Sequence, residues 1–218
     1  MLQLIMNLPL ILLIMYPGSQ PNVDLTQATF PTNCPATVTA QTDTYSKIKA
    51  GSFLKWHAAH LGGIDPRQGK IKYKEASISI EQDKILSARI IVDMHSLTVE
   101  DLPEEGIVNL TSHLKSDDFF DTENNPTSSF ELISSEQTSG AYNSKLTGEL
   151  TILNVTNCVT FSANVLITNE QVSVKSEQFV IDRSDWGMTY NAKGTLGVPL
   201  DYLISDDVGF AVDVTLTK

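Results

Sequence analysis

The side chains able to do chemistry are few and scattered. His57 and His60 stand three apart, next to Trp56. On a helix the two could meet one metal ion. On a strand, which Leu54 and Trp56 favour here, residues three apart point to opposite faces. No third ligand follows, so a zinc site is rejected. Asp117, Asp118 and Asp121 form an acidic cluster, but it lacks the glycine and closing Glu of a calcium loop, and Asp and Ser in such a run start turns. Arg183, Ser184 and Asp185 set a hydroxyl between two charges. No His lies nearby in sequence and there is no Gly-x-Ser-x-Gly, so the hydroxyl lacks a base. The expected use is an Arg–Asp pair bracing a strand end. His113 either bonds a headgroup oxygen at the mouth of a cavity or hydrogen-bonds the last carbonyls of a helix. Cys34 and Cys158 are the two cysteines; without a Cys-x-x-Cys or Cys/His cluster, one disulfide and two free thiols both fit. Asn109-Leu-Thr111 and Asn154-Val-Thr156 match glycosylation sequons, a pattern that arises cheaply by chance. No catalytic set, no metal set and no cofactor-binding pattern emerges.

The elements that carry these residues follow from composition and periodicity. The 218 residues have a formal net charge of -11, from 15 basic and 26 acidic side chains. That balance argues against nucleic acid, which needs clustered Lys and Arg, and against docking on an anionic membrane surface. The apolar share of 41% and a mean hydropathy of -0.05 fit a chain with a real core and no multiple membrane spans. Leu8 to Tyr16 reads LPLILLIMY. It is shorter than the roughly 20 residues that cross a bilayer, and it has the length of a signal-peptide apolar region. Pro17 to Thr44 is rich in Pro, Thr, Asn, Gln and Ser, a linker composition. Residues 1–44 are therefore expected to be an export segment plus linker, and residues 45–218 the folded domain, periplasmic or secreted.

From Tyr45 onward, apolar residues alternate with polar ones, the mark of half-buried strands. Ile48, Ala50, Leu54 and Trp56 share one parity. So do Leu86, Ala88, Ile90, Val92 and Met94; Leu146, Leu150 and Ile152; Val159, Phe161, Ala163, Val165 and Ile167; and Val208, Phe210, Val212, Val214 and Leu216. Val172, Val174 and Val180 form a further run, and weaker runs lie at Lys70–Ile80 and Ser129–Glu136. These make about eight strands. Turn residues at Asn154–Asn157, Asn169–Gln171 and Gly140 imply short antiparallel connections. Leu102 to Leu114 instead has Ile107, Leu110 and Leu114 at helical spacing, with Pro103 and two Glu residues at its start. A single short helix is expected to cap one end. Long one-sided strands bury their apolar faces in a sandwich or a closed barrel, and alternation alone does not separate the two.

Three stretches carry a resemblance: HLKSDDFFDTENNPTSSFEL (His113–Leu132), LTGELTILNVTNCVTFSANV (Leu146–Val165) and IDRSDWGM (Ile181–Met188). In this order they resemble the YceI-like family of bacterial polyisoprenoid-binding proteins, over roughly Tyr45 to Lys218. Cys158 departs from the family pattern, which often has Pro or a charged residue there. The resemblance implies an all-β fold: an extended antiparallel lipocalin-like barrel with one short helix, exported, with a lipid in its pore. Candidate wall residues are Leu54, Trp56, Phe119, Phe120, Phe130, Leu146, Leu150, Phe161, Val165, Trp186 and Phe210, with His113 at the mouth. Each would equally serve a dry core. The first reading is a binding protein for an isoprenoid, quinone or fatty-acid-like lipid, with no cofactor, no nucleic acid and no stable membrane span; a homodimer is left open. The alternatives are an enzyme acting on a lipid in the same pore, and a sandwich interaction module with a filled centre.

Overall fold

The computed structural model describes residues 42–218. Of the expected export segment and linker only residues 42–44 are described, and Asp43 and Thr44 already belong to a strand; the rest, with Cys34, lies outside the described residues. Eleven strands form one sheet: β1 (Asp43–Tyr45), β2 (Lys47–Ile48), β3 (Phe53–His60), β4 (Ile64–Glu81), β5 (Lys84–Val99), β6 (Thr127–Gln137), β7 (Ser144–Ile152), β8 (Val155–Ile167), β9 (Gln171–Ser176), β10 (Phe179–Asp182) and β11 (Asp207–Thr217). The order β4-β3-β11-β9-β8-β7-β6-β5 closes on itself because β5 pairs back onto β4. The result is an eight-stranded antiparallel barrel. The short strands β1, β2 and β10 were not legible as separate runs. The one α-helix among the described residues, α1 (Glu104–Lys115), starts just after Pro103 with Glu104 and Glu105 in its first turn, where acidic charge favours the helix dipole. Its apolar side, Ile107, Leu110 and Leu114, packs on the barrel end while Val108 faces out.

Two tight hairpins set the register. Gln82 and Asp83, and Leu153 and Asn154, all have positive φ, as two-residue primed turns require. The second turn is therefore centred on Leu153–Asn154, and Thr156 and Asn157, expected to lie in it, belong to β8. A register shift between Ser79 and Ile80 reverses parity near the first hairpin. It turns Ile85 inward and leaves Leu86, expected inside, 58% exposed. A one-residue slip of this kind moves every side chain beyond it to the other face. Val180 is also exposed, and its neighbours Phe179 and Ile181 point in.

The barrel wall is split on one side. β11 pairs with β9 over Asp213–Thr217 and with β10 over Asp207–Phe210. Between them side chains supplement the ladder: the Val212 amide donates to Ser176 Oγ (2.8 Å) and the Ser162 amide to Glu177 Oε1 (2.7 Å), beside one backbone bond from Glu177 N to Ser162 O (2.9 Å). Below this break, β8 has no strand partner on its β10 side among the described residues. The seam is spanned by Phe161 stacked on Phe179, ring centroids 4.6 Å apart, and by Asn157 Nδ2 donating to Asp185 O at 3.0 Å.

Two glycines allow close approach across the wall. At Gly69 in β4, the Trp56 indole crosses from β3 to donate to Thr98 O in β5, at 3.1 Å; a Cβ at Gly69 would sit 1.8 Å from that carbonyl oxygen. At Gly148 in β7, a Cβ would meet the Phe130 ring and Glu131 O at 2.4 Å. The Phe130 ring therefore lies on bare backbone. Gly148→Ala is expected to lower stability by about 1–3 kcal/mol through overpacking, read as a drop in the midpoint of thermal unfolding. An unchanged midpoint would show that the Phe130 ring has room elsewhere.

Candidate functional site

The barrel interior holds a narrow cavity of about 80 Å³. Its lining runs along β5 from Ile85 to Met94, a reach of roughly 30 Å at the usual rise per residue. Four rings, Phe130, Phe161, Phe179 and Phe210, follow one another around the wall, with centroid separations of 5.6, 4.6 and 6.2 Å. The polar side chains in the lining are Tyr73, Ser128 and Ser129. Tyr73 donates its hydroxyl to Phe53 O at 3.0 Å. Burial pushes its phenol well above the usual range, so it stays neutral and its proton stays in that bond. Such a wall offers contact area rather than directional chemistry.

A second hollow of about 300 Å³ lies under α1. Leu102, Leu110 and Leu114 line it from above, and Trp56, Phe119, Met188 and Val208 from the barrel side. His60, Asp65 and Arg67 form its polar edge. Its floor is built by the segment after β10. Asp182 accepts from Ser184 Oγ (2.6 Å) and Ser184 N (2.9 Å), starting a 3-10 turn over Arg183–Trp186. Those bonds, the hydroxyl's foremost, hold the Asp182 carboxyl below its ordinary value. Arg183 is 2% exposed and donates to the carbonyls of Met188, Ser205, Tyr190 and Ile204 at 2.8–3.4 Å. Asp206 lies 3.6 Å away. Burial pulls the guanidinium below its usual value and Asp206 pulls it back; an arginine remains charged throughout.

Of the expected wall residues, Leu54, Phe120, Phe130, Leu146, Leu150, Phe161 and Phe210 line the inner cavity. Trp56, Phe119 and Phe120 line the hollow under α1. Val165 does not join them: it lies towards the opposite end, beside Asn143 and Ile167. Trp186 is fully packed, its indole donating to Leu150 O at 3.1 Å, and lines neither hollow. His113 lies behind the wall. Its Nε2 donates to Asp118 Oδ2 at 2.9 Å, its carbonyl accepts from Ser116 at the helix end, and its ring stands edge-on to Phe119 and Tyr190. The pair expected for Arg183 runs to Asp206 and a ring of carbonyls, not to the exposed Asp185. His57 accepts from Gln178 on the outside at 2.6 Å, and Asp121 accepts from Asn124 and Asn125. Cys158 is exposed and has no disulfide partner among the described residues, Cys34 lying outside them. Sequence reasoning missed Tyr73, Ala88, Phe179 and Val212 as wall residues. Phe179 was findable, since it shares parity with Ile181 and pairs with Phe210.

Residues 45–216 match the YceI-like domain. The chain belongs to the YceI-like family. This YceI-like domain is similar to the solved structure of Burkholderia cenocepacia BcnA, at 18% identity and TM-score 0.61, covering 78% of this chain and 100% of that one. It is similar to a polyisoprenoid-binding domain from Saccharophagus degradans described as implicated in plant cell wall breakdown, at 14% identity and TM-score 0.55, covering 80% and 99%. It is also similar to a Campylobacter jejuni YceI protein, at 21% identity and TM-score 0.50, covering 68% and 84%. At these identities the likeness concerns the fold. No curated protein matches the chain.

Two expectations follow for the YceI-like domain. Arg183→Met leaves four buried or part-buried carbonyls and Asp206 without their partner, and should destabilise by about 3–5 kcal/mol; a loss under 1 kcal/mol in denaturant unfolding would contradict this role. For Tyr73 the sign is set by its raised value. Above about pH 10 the unfolded chain gives up a phenol proton that the folded one keeps, so stability falls as pH rises, by up to about 1.4 kcal/mol per unit. Melting followed from pH ~9 to ~11 should fall more steeply for the wild type than for Tyr73→Phe, and parallel curves would contradict it.

Proposed function

We propose that the chain binds a lipid with a long hydrocarbon chain, isoprenoid, quinone or fatty-acid-like, and carries or stores it non-covalently in the barrel pore. The observation that carries this reading is the inner cavity: a narrow space walled by aliphatic and phenyl groups along roughly 30 Å of the barrel. Each methylene moved from water into such a wall gains about 0.8 kcal/mol. A hydrocarbon tail needs nothing more for tight binding, and the few polar groups in the wall suit it. The solved Saccharophagus degradans domain, described as polyisoprenoid-binding, supports the same class of ligand. The acidic surface and the short apolar N-terminal run support a periplasmic or secreted location, with residues 1–44 as export segment and linker.

Ala88 separates a hollow from a filled centre. It lines the cavity, facing Ile78 across the β4–β5 ladder. Ala88→Phe should fill the space a tail occupies. Solvent extraction and mass spectrometry of the wild type should recover close to one lipid per chain. The variant should retain at least about ten-fold less, the worth of roughly two displaced methylenes, with an unchanged melting midpoint. A variant destabilised by about 1–3 kcal/mol, together with a wild type that yields no lipid, would show that side chains already occupy the centre.

A further inference from the structure

Phe120 is the single residue common to the linings of the inner cavity and the hollow under α1. Its place is fixed by backbone: its amide donates to Leu114 O at 3.1 Å, and the next amide, of Asp121, donates to Ser116 O at 2.8 Å. The loop carrying Phe120 is thus tied to the last turn of α1, and the ring stands between two chambers of different character. The inner one is apolar throughout but for Tyr73, Ser128 and Ser129. The outer one has a polar edge, yet no uncompensated charge. Arg67 pairs with Asp65, and Arg183 is taken up by carbonyls and Asp206. A phosphate or carboxylate head would find no free cation there, so the edge suits an uncharged head.

His60 narrows the class further. Its Nδ1 donates to Asp201 O at 2.7 Å, because a carbonyl can only accept. In the neutral ring that bond leaves Nε2 as an acceptor, and Nε2 has no partner among the described residues. An acceptor at the rim selects a head that can donate. We propose that Phe120 is the partition of a two-part site, and that the site takes a long-chain amphiphile with an uncharged hydroxyl head. The tail passes Phe120 into the inner chamber, and the hydroxyl donates to His60 Nε2 in the outer one. This rests on the lipid-carrier reading.

The test uses the full chain stripped of lipid, with straight-chain primary alcohols and their methyl ethers of equal length. An ether fills the same space but cannot donate. The wild type should prefer alcohol over ether by roughly three- to ten-fold, the worth of one net hydrogen bond. His60→Ala should lose that preference while still binding the ether. Phe120→Trp should weaken alcohols long enough to pass the ring by at least ten-fold, and leave alcohols short enough for the outer chamber alone unaffected. Should Phe120→Trp fail to fold, Phe120→Leu gives the reverse reading: a long alcohol with a bulky branch, rejected by the wild type, gains at least ten-fold. Equal binding of alcohol and ether by the wild type overturns the head assignment, and a Phe120 effect indifferent to chain length overturns the partition; in both, lipid binding itself survives. A wild type that binds neither series overturns the carrier reading and this inference with it.

Discussion

The β4–β5 ladder is the constraint on which the rest depends. Without it the remaining strands form an open sheet, free to fold over and press its apolar face against itself. With it the hydrogen bonds run round a ring, and eight strands fix a diameter that side chains from opposite walls only just span. Backbone pairing therefore holds Phe130, Phe161, Phe179 and Phe210 around a space instead of letting them interlock across it. The Phe130 ring is kept out of that space by the missing side chain of Gly148. The hydrophobic effect favours closing such a hollow; the strand pairing closed by β4 and β5 is what resists it, since each broken pair would leave buried amide and carbonyl groups without partners.

The ladder is weakest at the seam between β8 and β10, and there side chains take over. Ser176 and Glu177 supply the bonds that the break in the strand removes, and stacked rings cover the gap. Arg183 then ties the segment that follows to the residues just before β11 by collecting four carbonyls on one guanidinium. That arrangement suits arginine, whose fixed fork reaches several acceptors at once. It also builds the floor of the outer chamber without presenting a free charge to it. One residue thus braces the fold and shapes the chamber, and the sequence offered it only as part of an Arg-Ser-Asp triplet.

Much of the barrel was legible because a half-buried strand writes its geometry as alternation. Trp56, Leu146, Phe161 and Phe210 all face inward on the parity expected for them. The misreadings share one cause. Leu86, Val180 and Val165 sit next to bulges, breaks or strand ends, where parity flips or the wall curves away, and a two-residue period carries no record of such shifts. Trp186 and His113 failed as wall residues for a different reason. Both are amphipathic, and each spends its polar atom on a local bond, to Leu150 O and Asp118, that fixes the loop carrying it. Alternation does not tell a hollow from a filled interior; that distinction depends on the ring closing and on where Gly148 and Ala88 fall within it.

The central claim is that the ring encloses usable space. A crystal structure of the full chain, purified from its natural host without removal of lipid, tests it most directly. The account expects continuous tubular density of hydrocarbon width along the β5 wall from Ile85 to Met94, passing the Phe120 ring. Phenyl rings of Phe130, Phe161 and Phe210 meeting across the centre, with no density between them, would contradict it.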